Sequence, residues 1–581
     1  MTSSPVTDPR SHLAQLLADA VAAAIPEQHG AAIALERPKQ VGHGDYASNL
    51  ALQLAKPLKR SPRDVAQALV QALPPSPWLA KAEIAGAGFI NLFLTPTAKQ
   101  RVVADILARG RYYGRVGLGQ GRKVQVEFVS ANPTGPLHVG HGRGAAYGAS
   151  LANVLDAAGF AVSREYYVND AGRQMDILAL STWLRYLELN ELSVPFPPNG
   201  YRGDYVRDMA HSIVQAHGRR YVHAPDALLD GVAPVTADAE AHLDGLIANA
   251  KKLLGADYAY IHDFALTEQL GDCRNDLLEF GVTFDHWFSE KSLYDSGQVE
   301  RALNALEQAG YLYVQDGAKW FRSSAFGDEK DRVVQRENGQ YTYFASDIAY
   351  HLNKVERGFG LVIDVWGADH HGHVARVKAA LRALGLDPEL LTVALVQFAV
   401  LYRDGNKASM STRSGEFVTL RELRSEVGND AARFFYVLRK RDQHLDFDLD
   451  LAKSQSNDNP VYYVQYAHAR ICSVLEQWGE DESSLRNADL GALTSDQELQ
   501  ILRLLMDYPA VVEDAARDLA PHLVAFYLKD LAAVFHSYYN STHFLVDDEL
   551  ARMARLSLIV AVRHVLASGL DLLGVSAPAK M

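Results

Sequence analysis

One stretch in the first third of the chain has the clearest spacing of apolar and polar positions. Residues 124–129 form an apolar, β-branched run, which predicts a buried strand. Proline and glycine interrupt the pattern at 132–136, and the small and apolar residues at 142–158 predict a close-packed helix that Gly159 ends. A second strand-like run follows at 162–168. This order predicts a βαβ unit, and such units build parallel sheets whose ligands bind beyond the carboxyl ends of the strands.

The same kind of spacing divides the rest of the chain into domains. A helical run at 12–25 and a strand-like run at 88–94 predict an α+β domain. Strands that enter helices recur at 340–352 and 361–385, so we expect the sheet domain to extend past them. From about residue 425 only helical spacing remains. The predicted organisation is an α+β domain at 1–108, a glycine-rich basic linker at 109–123, an α/β parallel-sheet domain at 124–425 with a helical insertion at about 194–280, and an all-helical domain at 426–581.

His138 and His141 lie on the predicted loop that enters the helix after the first strand. A helix N-terminus offers unpaired backbone N–H groups and a partial positive charge, which favours phosphate. Gly140 lets a flat base or ribose approach the backbone. Because the two histidines are three residues apart, they point to the same side of one turn, where they can donate hydrogen bonds to phosphate oxygens. The alternatives are a pair of packed histidines or half of a metal site, for which no third ligand lies nearby in the sequence.

Composition and charge narrow the class of protein. The chain has 581 residues, and its 48% hydrophobic and 22% charged residues are ordinary for a soluble globular protein. The N-terminal residues lack a signal-peptide pattern and no apolar run reaches transmembrane length, so we expect a cytoplasmic protein. A net charge of −13 excludes a uniformly basic protein but permits local basic faces for RNA. Cys273 and Cys472, the two cysteines, make neither a disulfide framework nor a cysteine-rich zinc site.

The residues around the two histidines, SANPTGPLHVGHGRGA at 130–145, resemble the HIGH motif of class I aminoacyl-tRNA synthetases in the form found in arginyl-tRNA synthetases. The resemblance covers nearly the whole chain and implies a Rossmann-type catalytic domain between an N-terminal additional domain and a C-terminal anticodon-binding domain. It implies that ATP and L-arginine form arginyl-adenylate, and that the arginyl group then passes to the terminal ribose of tRNA(Arg). Mg²⁺ is implied to accompany ATP, and no structural zinc is expected. The motif comprises Ala131, Asn132, Pro133, Thr134, Gly135, Pro136, Leu137, His138, Val139, Gly140 and His141.

The resemblance also points to an arginine pocket and an ATP site. A pocket for the planar guanidinium cation needs carboxylates in forked geometry, backed by neutral acceptors. The histidines at 370, 371 and 373 could instead be metal ligands, although a synthetase needs no bound transition metal. The arginine-binding residues implied are Glu127 and Asn132 at the α-amino end, then Glu290, Tyr343, Asp347 and His370. The ATP-binding residues implied are His138, Gly140, His141, Asp369, Met410 and Ser411.

The segment KASMSTRSG at 407–415 takes the place of the family's KMSKS loop and departs from it. Ser409 and Thr412 stand where the two lysines would be. Lys407 and Arg413 are the remaining cations that could meet the leaving pyrophosphate. The catalytic residues implied are therefore His138, His141, Lys407 and Arg413, with no metal ligand among them.

Two regions are predicted to contact tRNA. In the N-terminal domain the resemblance points to Tyr46 and Asn49 at the tRNA elbow, although Tyr46 could equally be a packing residue. In the helical domain tyrosines can stack on unpaired bases while an arginine meets phosphate, but the same spacing also makes an aromatic core stripe. The contacts predicted there are Asn459, Tyr462, Tyr463, Tyr466 and Arg470.

Two other classes of protein remain open at this point. A different nucleotidyltransferase with an HxGH motif would use a small-molecule acceptor, which the long helical C-terminal domain disfavours. A catalytically inactive relative would act as an RNA-binding protein, which the altered KMSKS loop permits but the intact Asp347 and Asp369 disfavour. The expected activity is arginine–tRNA ligation by a monomer, with no DNA or membrane partner.

Overall fold

The βαβ unit predicted from the apolar spacing is present. The computed structural model describes residues 9–38, 40–408 and 418–581. Within it, strand β4 (Lys123–Glu127) leads into helix α5 (Val139–Ala157) and then strand β5 (Ala161–Val168). The small residues of α5 let it lie close to the sheet, since a Cβ on Gly148 would be 2.3 Å from the Phe128 ring. The helix begins three residues before its predicted start, because it includes the segment from Val139 onwards.

The central sheet of the α/β domain, called the catalytic body below, has five parallel strands in the order β11–β10–β4–β5–β6. Strands β5 and β6 extend the sheet on one side of β4, and β10 and β11, which come later in the chain, extend it on the other side. The topology therefore reverses at β4 and opens a crevice at the carboxyl ends. The register places Asp364 beside Glu127, and Glu127 beside Glu165. The outer strands are β6 (His286–Ser289), β10 (Leu361–Gly367) and β11 (Leu391–Val396).

Helices cover this sheet, and two small sheets extend it. In chain order the additional elements are α6 (Arg173–Leu189), the insertion helices α7 (Asp204–His217), α8 (Pro225–Leu229), α9 (Ala239–Leu254) and α10 (Asp257–Glu279), then α11 (Glu290–Asp295), α12 (Gln298–Gln308), β7 (Leu312–Gln315), β8 (Ala318–Phe321), β9 (Arg332–Gln335), α13 (Tyr343–Glu356), α14 (His371–Ala383), β12 (Ala399–Arg403), β13 (Asn406–Lys407), α15 (Leu420–Val427), α16 (Asn429–Val437), β14 (Leu445–Asp448) and α17 (Leu449–Lys453). Strands β7–β9 are antiparallel, and β12 lies between β13 and β14.

The region predicted to be entirely helical contains one strand. Strand β14 pairs in parallel with β12, which ties residues 445–448 to the catalytic body. The boundary predicted at residue 425 falls inside α15. The four residues of β14 alternate between buried and exposed, but so short a run cannot be recognised between two stretches of helical spacing. They are extended because they pair with the distant strand β12.

The insertion helices pack with α6 around an apolar cluster that is distinct from the main core. Trp183, Tyr186 and Leu187 of α6 pack with Leu243 and Leu246 of α9 in a cluster separate from the main core. The insertion also reaches the HIGH segment, because the Tyr205 hydroxyl donates to the Thr134 carbonyl oxygen at 2.6 Å. Helices α7–α9 and the start of α10 thus pack with α6, whereas Cys273 and Leu277 at the end of α10 belong to the main core.

The N-terminal domain is an antiparallel three-stranded sheet with helices, as predicted, and the residues after it pack against the catalytic body. In the predicted linker, the backbone N–H groups of Val116 and Gly119 donate to the carbonyl oxygens of Ala157 and Ala158. The domain's elements are α1 (Pro9–Ala24), β1 (Tyr46–Ser48), α2 (Leu50–Leu58), α3 (Pro62–Ala72), β2 (Leu79–Ala85), β3 (Phe89–Leu94) and α4 (Pro96–Arg109).

The C-terminal helices share one apolar core with the catalytic body and the N-terminal domain. Two buried arginines tie the parts together through backbone carbonyls. Arg143 of α5 donates to the carbonyl oxygens of Gln397, Lys440 and Gln443, and Arg433 of α16 donates to those of Phe280, Gly281 and Leu573. The helices are α18 (Pro460–Trp478), α19 (Asp496–Arg517), α20 (His522–Ser541) and α21 (Glu549–Leu572). Of the helices in the described residues, α21 alone is long and apolar enough to cross a membrane, and most of its apolar window is buried in the fold.

Candidate active site

The two histidines of the HIGH segment form the N-terminal cap of α5. The Nδ1 atom of His138 accepts from the Gly140 backbone N–H at 3.1 Å, and the Nδ1 atom of His141 accepts from the His138 N–H at 3.2 Å. The two rings stack with centroids 3.7 Å apart. Because each Nδ1 is an acceptor, a neutral ring must carry its hydrogen on Nε2. Both rings are therefore held in the tautomer whose Nε2–H can donate to a phosphate oxygen.

The surroundings keep both imidazoles neutral. Burial lowers the pKa of His138, and burial together with the neighbouring His138 lowers the pKa of His141 to about 3. Gly140 is required for the stacking geometry, because a Cβ there would lie 2.8 Å from Cε1 of His138. The pair thus acts as two neutral, preorganised donors rather than as two cations.

A cavity of about 530 Å³ opens beyond the carboxyl ends of β4 and β10. Four of the predicted residues line it, namely Glu127, Asp347, Asp369 and His370. Glu290, which the sequence also predicts, lies behind the wall and is 2% exposed. Tyr343 begins α13 and is 58% exposed. The topological crevice of the sheet therefore brings predicted residues from distant parts of the chain into one pocket.

Asp347 lines one end of this pocket, and the buried Glu290 lies close to it. The Nε2 atom of His373 lies 2.9 Å from Oδ2 of Asp347, and Ser346 donates to Oε1 of Glu290 at 2.8 Å. Burial, and then the charge of Asp347, raises the pKa of Glu290 to about 7. Two carboxyl groups in this arrangement favour a cationic ligand. Among the described residues, no group of three or more His, Cys, Asp or Glu side chains could hold a metal ion.

Glu127 belongs to a buried charge network. Its Oε2 lies 2.5 Å from Nζ of Lys354, which is also 2.7 Å from Oδ1 of Asp364, and Oδ2 of Asp364 is 2.8 Å from Nε2 of His351. Burial raises the pKa of Glu127, and Lys354 opposes that change. Burial also acts to raise the pKa of Asp364, but Lys354 and His351 bring it down to about 2. Glu127 is therefore already paired with a cation, which the sequence did not indicate.

The backbone at the end of β4 adopts an uncommon conformation. Val129 has φ = 67° and Ser130 has φ = 41°, in the left-handed region that β-branched residues avoid. In this geometry the Ser130 hydroxyl donates to Glu127 at 2.9 Å and accepts from the Tyr167 N–H at 3.1 Å. The strained turn thus directs Ser130 back into the pocket wall.

Several residues of the site were not predicted from the sequence. Asn169 lies 3.0 Å from Asn132, and with its amide oriented to satisfy its neighbours the NH₂ group donates to Oε2 of Glu290 at 2.5 Å. Its position just after β5 was the available signal, because polar residues at strand ends reach the crevice. Lys354 and Asp364 gave no such signal, since helical and strand spacing place both in the core.

Part of the predicted site follows β13. Lys407 is exposed. Ser409, Met410, Ser411, Thr412 and Arg413 lie outside the described residues, so their predicted roles stay predictions. The described residues that follow return to the HIGH segment: the Val139 N–H donates to the Val418 carbonyl oxygen at 3.0 Å, and the Leu420 N–H donates to that of Leu137 at 2.7 Å.

The predicted tRNA contacts of the N-terminal domain face inward in part. Tyr46 is 4% exposed, and the Arg37 guanidinium lies 3.9 Å over its ring. Asn49 is half-buried and accepts from the Gln53 amide. The burial of Tyr46 favours the packing role that the sequence left open.

The predicted contacts of the C-terminal domain are of two kinds. Asn459 is buried, caps α18, and donates to the carbonyl oxygens of Ala452 and Ser454, so it has a structural role. The remaining residues are half-buried on one side of α18. The Arg470 guanidinium lies 4.4 Å from the Tyr466 ring and 4.7 Å from the Tyr539 ring. Tyr462 stacks on Tyr466 with centroids 5.7 Å apart, and Tyr463 packs on His536 at 4.4 Å.

Three sequence families match successive parts of the chain. "Arginyl tRNA synthetase N terminal domain" matches residues 11–94. "tRNA synthetases class I (R), catalytic domain" matches 102–196 and 259–449, and so skips most of the insertion. "DALR anticodon binding domain" matches 464–581.

Two whole proteins similar to this chain are named arginine–tRNA ligases. An arginine–tRNA ligase from Nitrosospira multiformis is 72% identical over 549 residues, which is 94% of each chain. Another from Azoarcus sp. is 66% identical over 585 aligned positions, covering 99% of this chain and 100% of that one. The structure of Thermus thermophilus arginyl-tRNA synthetase superposes with a TM-score of 0.75 at 24% identity, covering 99% of this chain and 100% of that chain, which supports the fold.

Proposed function

The chain belongs to the arginyl-tRNA synthetases and is an arginine–tRNA ligase, and on that premise we propose how its residues divide the work. The general activity of the family has two steps. The arginine carboxylate attacks the α-phosphate of ATP, with pyrophosphate as the leaving group, and the arginyl group then moves to the terminal ribose of tRNA. No side-chain nucleophile is required, so positioning and charge stabilisation carry the catalysis.

Arginine is proposed to occupy the cavity beyond β4 and β10. The observation that carries this assignment is the Asp347 carboxylate on the cavity wall with the buried Glu290 close to it, which suits a guanidinium cation. The α-amino group would lie towards Asn132 and Glu127, as predicted. Because Glu127 is already paired with Lys354, we expect Asn132 to make the larger share of that contact.

ATP is proposed to lie over the N-terminus of α5. The Nε2–H groups of His138 and His141 can donate to its phosphate oxygens, because the Nδ1 atoms of both rings already accept from the backbone. Asp369 is exposed at the rim of the same cavity, where its carboxylate suits a ribose diol. The Mg²⁺ that accompanies ATP would supply charge neutralisation for the phosphates, with oxygen ligands drawn mainly from ATP and water.

The direct test is an aminoacylation assay with ATP, total tRNA and each of the twenty amino acids. We expect arginine alone to be charged. If none of the twenty amino acids is charged onto tRNA but the protein still binds tRNA, the result would favour an inactive RNA-binding relative. We further propose that the enzyme works as a cytoplasmic monomer. Sedimentation at working concentrations tests the monomer.

The anticodon end of tRNA is proposed to meet the face of α18 that carries Tyr462, Tyr466 and Arg470. Arg470 stacks between two tyrosine rings, and this arrangement offers a π face to a base and a cation to a phosphate. The additional domain at 1–108 is proposed to contact the elbow through its exposed residues rather than through Tyr46.

Replacing Arg470 by Ala is expected to raise the KM for tRNA by about tenfold, since stacking on an aromatic side chain contributes about 1–3 kcal/mol per base. The salt dependence of tRNA binding should become less steep by about one counterion if Arg470 meets a phosphate. The matched control is Arg301→Ala, which removes an exposed ion pair with Glu356 in the catalytic body. Equal tRNA KM values for the two variants would contradict the proposed interface.

Arginine binding at neutral pH is expected to release a proton from Glu290. With a pKa of about 7, this group is roughly half protonated at pH 7 in the empty pocket, and a bound guanidinium favours its charged form. The arginine KM should therefore fall as the pH rises from about 6 to 8, because less proton must be displaced. Calorimetry at pH 7 in two buffers with different ionisation enthalpies measures the release directly. Glu290→Gln should abolish it, and binding heats that do not depend on the buffer would contradict this role.

A further inference from the structure

The loop that carries the two histidines is held from outside the βαβ unit by the start of α15. The Val139 N–H donates to the Val418 carbonyl oxygen at 3.0 Å, and the Leu420 N–H donates to the Leu137 carbonyl oxygen at 2.7 Å. His138 lies between these two bonds, in an antiparallel bridge with the residue that caps α15. A shift of α15 would therefore be passed directly to the backbone of His138.

Thr419 is that capping residue, and it closes the first turn of α15 in a capping box. Its hydroxyl accepts from the Glu422 N–H at 3.2 Å, and the Glu422 carboxylate accepts from the Thr419 N–H at 2.7 Å. A capping box pairs two N–H groups that would otherwise lack a partner, so it fixes the residue before the helix relative to the helix. The residue that faces His138 thus moves together with α15.

Two arginines of α15 hold this helix against the end of α10. Nη2 of Arg421 lies 2.5 Å from Asp272 and 3.0 Å from Oδ2 of Asp276. Nη2 of Arg424 lies 3.1 Å from Oδ1 of Asp276 and 2.7 Å from Glu279. Asp276 is 2% exposed and accepts from both arginines. Solvent and salt screen a network around a buried carboxylate less than they screen isolated surface pairs, so this contact can hold the two helices together.

The end of α10 is itself fixed to the main core and lies beside the same loop. Cys273 and Leu277 of α10 belong to the main core. Sγ of Cys273 also lies 4.0 Å from the carbonyl oxygen of Gly135 in the HIGH segment. The ionic network therefore joins two helices that both contact the loop carrying the histidines.

We propose that Arg421 is a positioning residue for adenylate formation, because it holds α15 against α10 and so fixes the backbone of His138. The proposal rests on the assignment of ATP to the N-terminus of α5. Preorganised donors stabilise developing charge when their positions are set before the reaction, and an error of about 1 Å can cost about 10²-fold in rate. Arg421 acts through the histidine donors and not on the substrate itself.

The test is Arg421→Ala, measured by single-turnover adenylate formation with arginine, ATP and tRNA present. The side chain is 46% exposed, so its removal should leave the enzyme folded. The rate at saturation is expected to fall about tenfold, while the half-saturating arginine concentration stays within about twofold, because other elements form the arginine pocket. Arg421→Lys should recover part of the rate, since lysine keeps the charge but not the fork. The matched control is Arg301→Ala, which removes an ion pair of similar exposure with Glu356 and should change neither quantity.

A double variant separates positioning from a general loss of stability. If Arg421 acts through the histidine donors, Arg421→Ala should cost about threefold or less in an enzyme that already carries His141→Asn. The full tenfold loss in both backgrounds would overturn the proposal, because the effect would not pass through the histidines. Thermal unfolding of each variant is measured in parallel. A lower unfolding temperature with an unchanged rate would give Arg421 a structural role only and would also overturn the proposal.

The proposal and the assignment on which it rests fail in different ways. An unchanged rate in Arg421→Ala, with a lowered rate in His141→Asn, would overturn the role of Arg421 and leave the placement of ATP standing. Unchanged rates in both variants would overturn the placement of ATP over α5. If Arg421→Ala raised only the half-saturating arginine concentration, the effect would lie in the arginine pocket and the proposal would be wrong.

Discussion

Replacing Asp347 by Ala is expected to lower kcat/KM for arginine by about 30- to 4,000-fold, which corresponds to about 2–5 kcal/mol for a charged group that loses its partner in a closed site. Asp347 lines the pocket, and His373 holds its Oδ2 at 2.9 Å. Because its side chain is 29% exposed, the loss should lie nearer the lower end of this range. The preference for arginine over lysine should shrink as well, since lysine never used the fork.

A second variant at the same position separates charge from shape. Asp347→Asn keeps an oxygen that can face His373 but removes the negative charge. If the charge binds the guanidinium, the Asn variant should lose nearly as much kcat/KM as the Ala variant. Steady-state charging over a range of arginine concentrations, with saturating ATP and tRNA, gives kcat/KM for both variants. Unchanged kcat/KM in a folded Asp347→Ala enzyme would place the arginine pocket elsewhere.

Replacing His141 by Asn is expected to lower kcat for charging by about 10²–10³-fold, the usual effect of losing one preorganised donor to developing charge. The geometry of the cap makes this substitution selective. The Asn oxygen can take over the role of Nδ1, which accepts from the His138 N–H, whereas nothing replaces the Nε2–H. The arginine KM should change little, because the lost bond strengthens only as charge develops on the phosphate.

His141→Gln is the matched control, because its amide nitrogen falls near the position of Nε2. It should retain more turnover than Asn, although it weakens the cap. Since the pKa of His141 is about 3, its ring stays neutral through neutral pH, and no inflection of the kcat profile between about pH 5 and 8 should arise from it. Near-normal single-turnover adenylate formation in a folded His141→Asn enzyme would refute the donor role.

The elements of the site could be predicted from sequence better than its contacts. Strand β4 and helix α5 follow from an apolar run, a break and a stretch of small residues, and the structure confirms them within a few residues. The helix starts earlier than predicted because His138 serves as its cap, and histidine is not among the residues usually preferred at that position. The spacing of apolar residues thus located the site, but it did not predict that His138 caps the first turn of α5.

The buried charge network shows why the rest could not be predicted. Lys354 pairs with Glu127 across 227 positions of sequence, and its helical periodicity marks only an inward-facing residue. The order and register of the strands decide which carboxylates Lys354 meets, because they place Asp364 beside Glu127. Such facts are fixed by tertiary packing and leave no mark in local composition.

The separation of the main core from the cluster around α6 has a consequence for local unfolding of the protein. The N-terminal domain, the parallel sheet and the C-terminal helices share one core and the carbonyl contacts of Arg143 and Arg433, so they should come apart only in global, cooperative unfolding. Helices α7–α9 pack with α6 around a smaller cluster, so we expect them to open at lower free energy than the main core. Amide hydrogens of α9 should therefore exchange with solvent faster than those of α5. Tyr205 joins this independently opening unit to Thr134, so each such excursion removes one hydrogen bond from the loop beside the nucleotide.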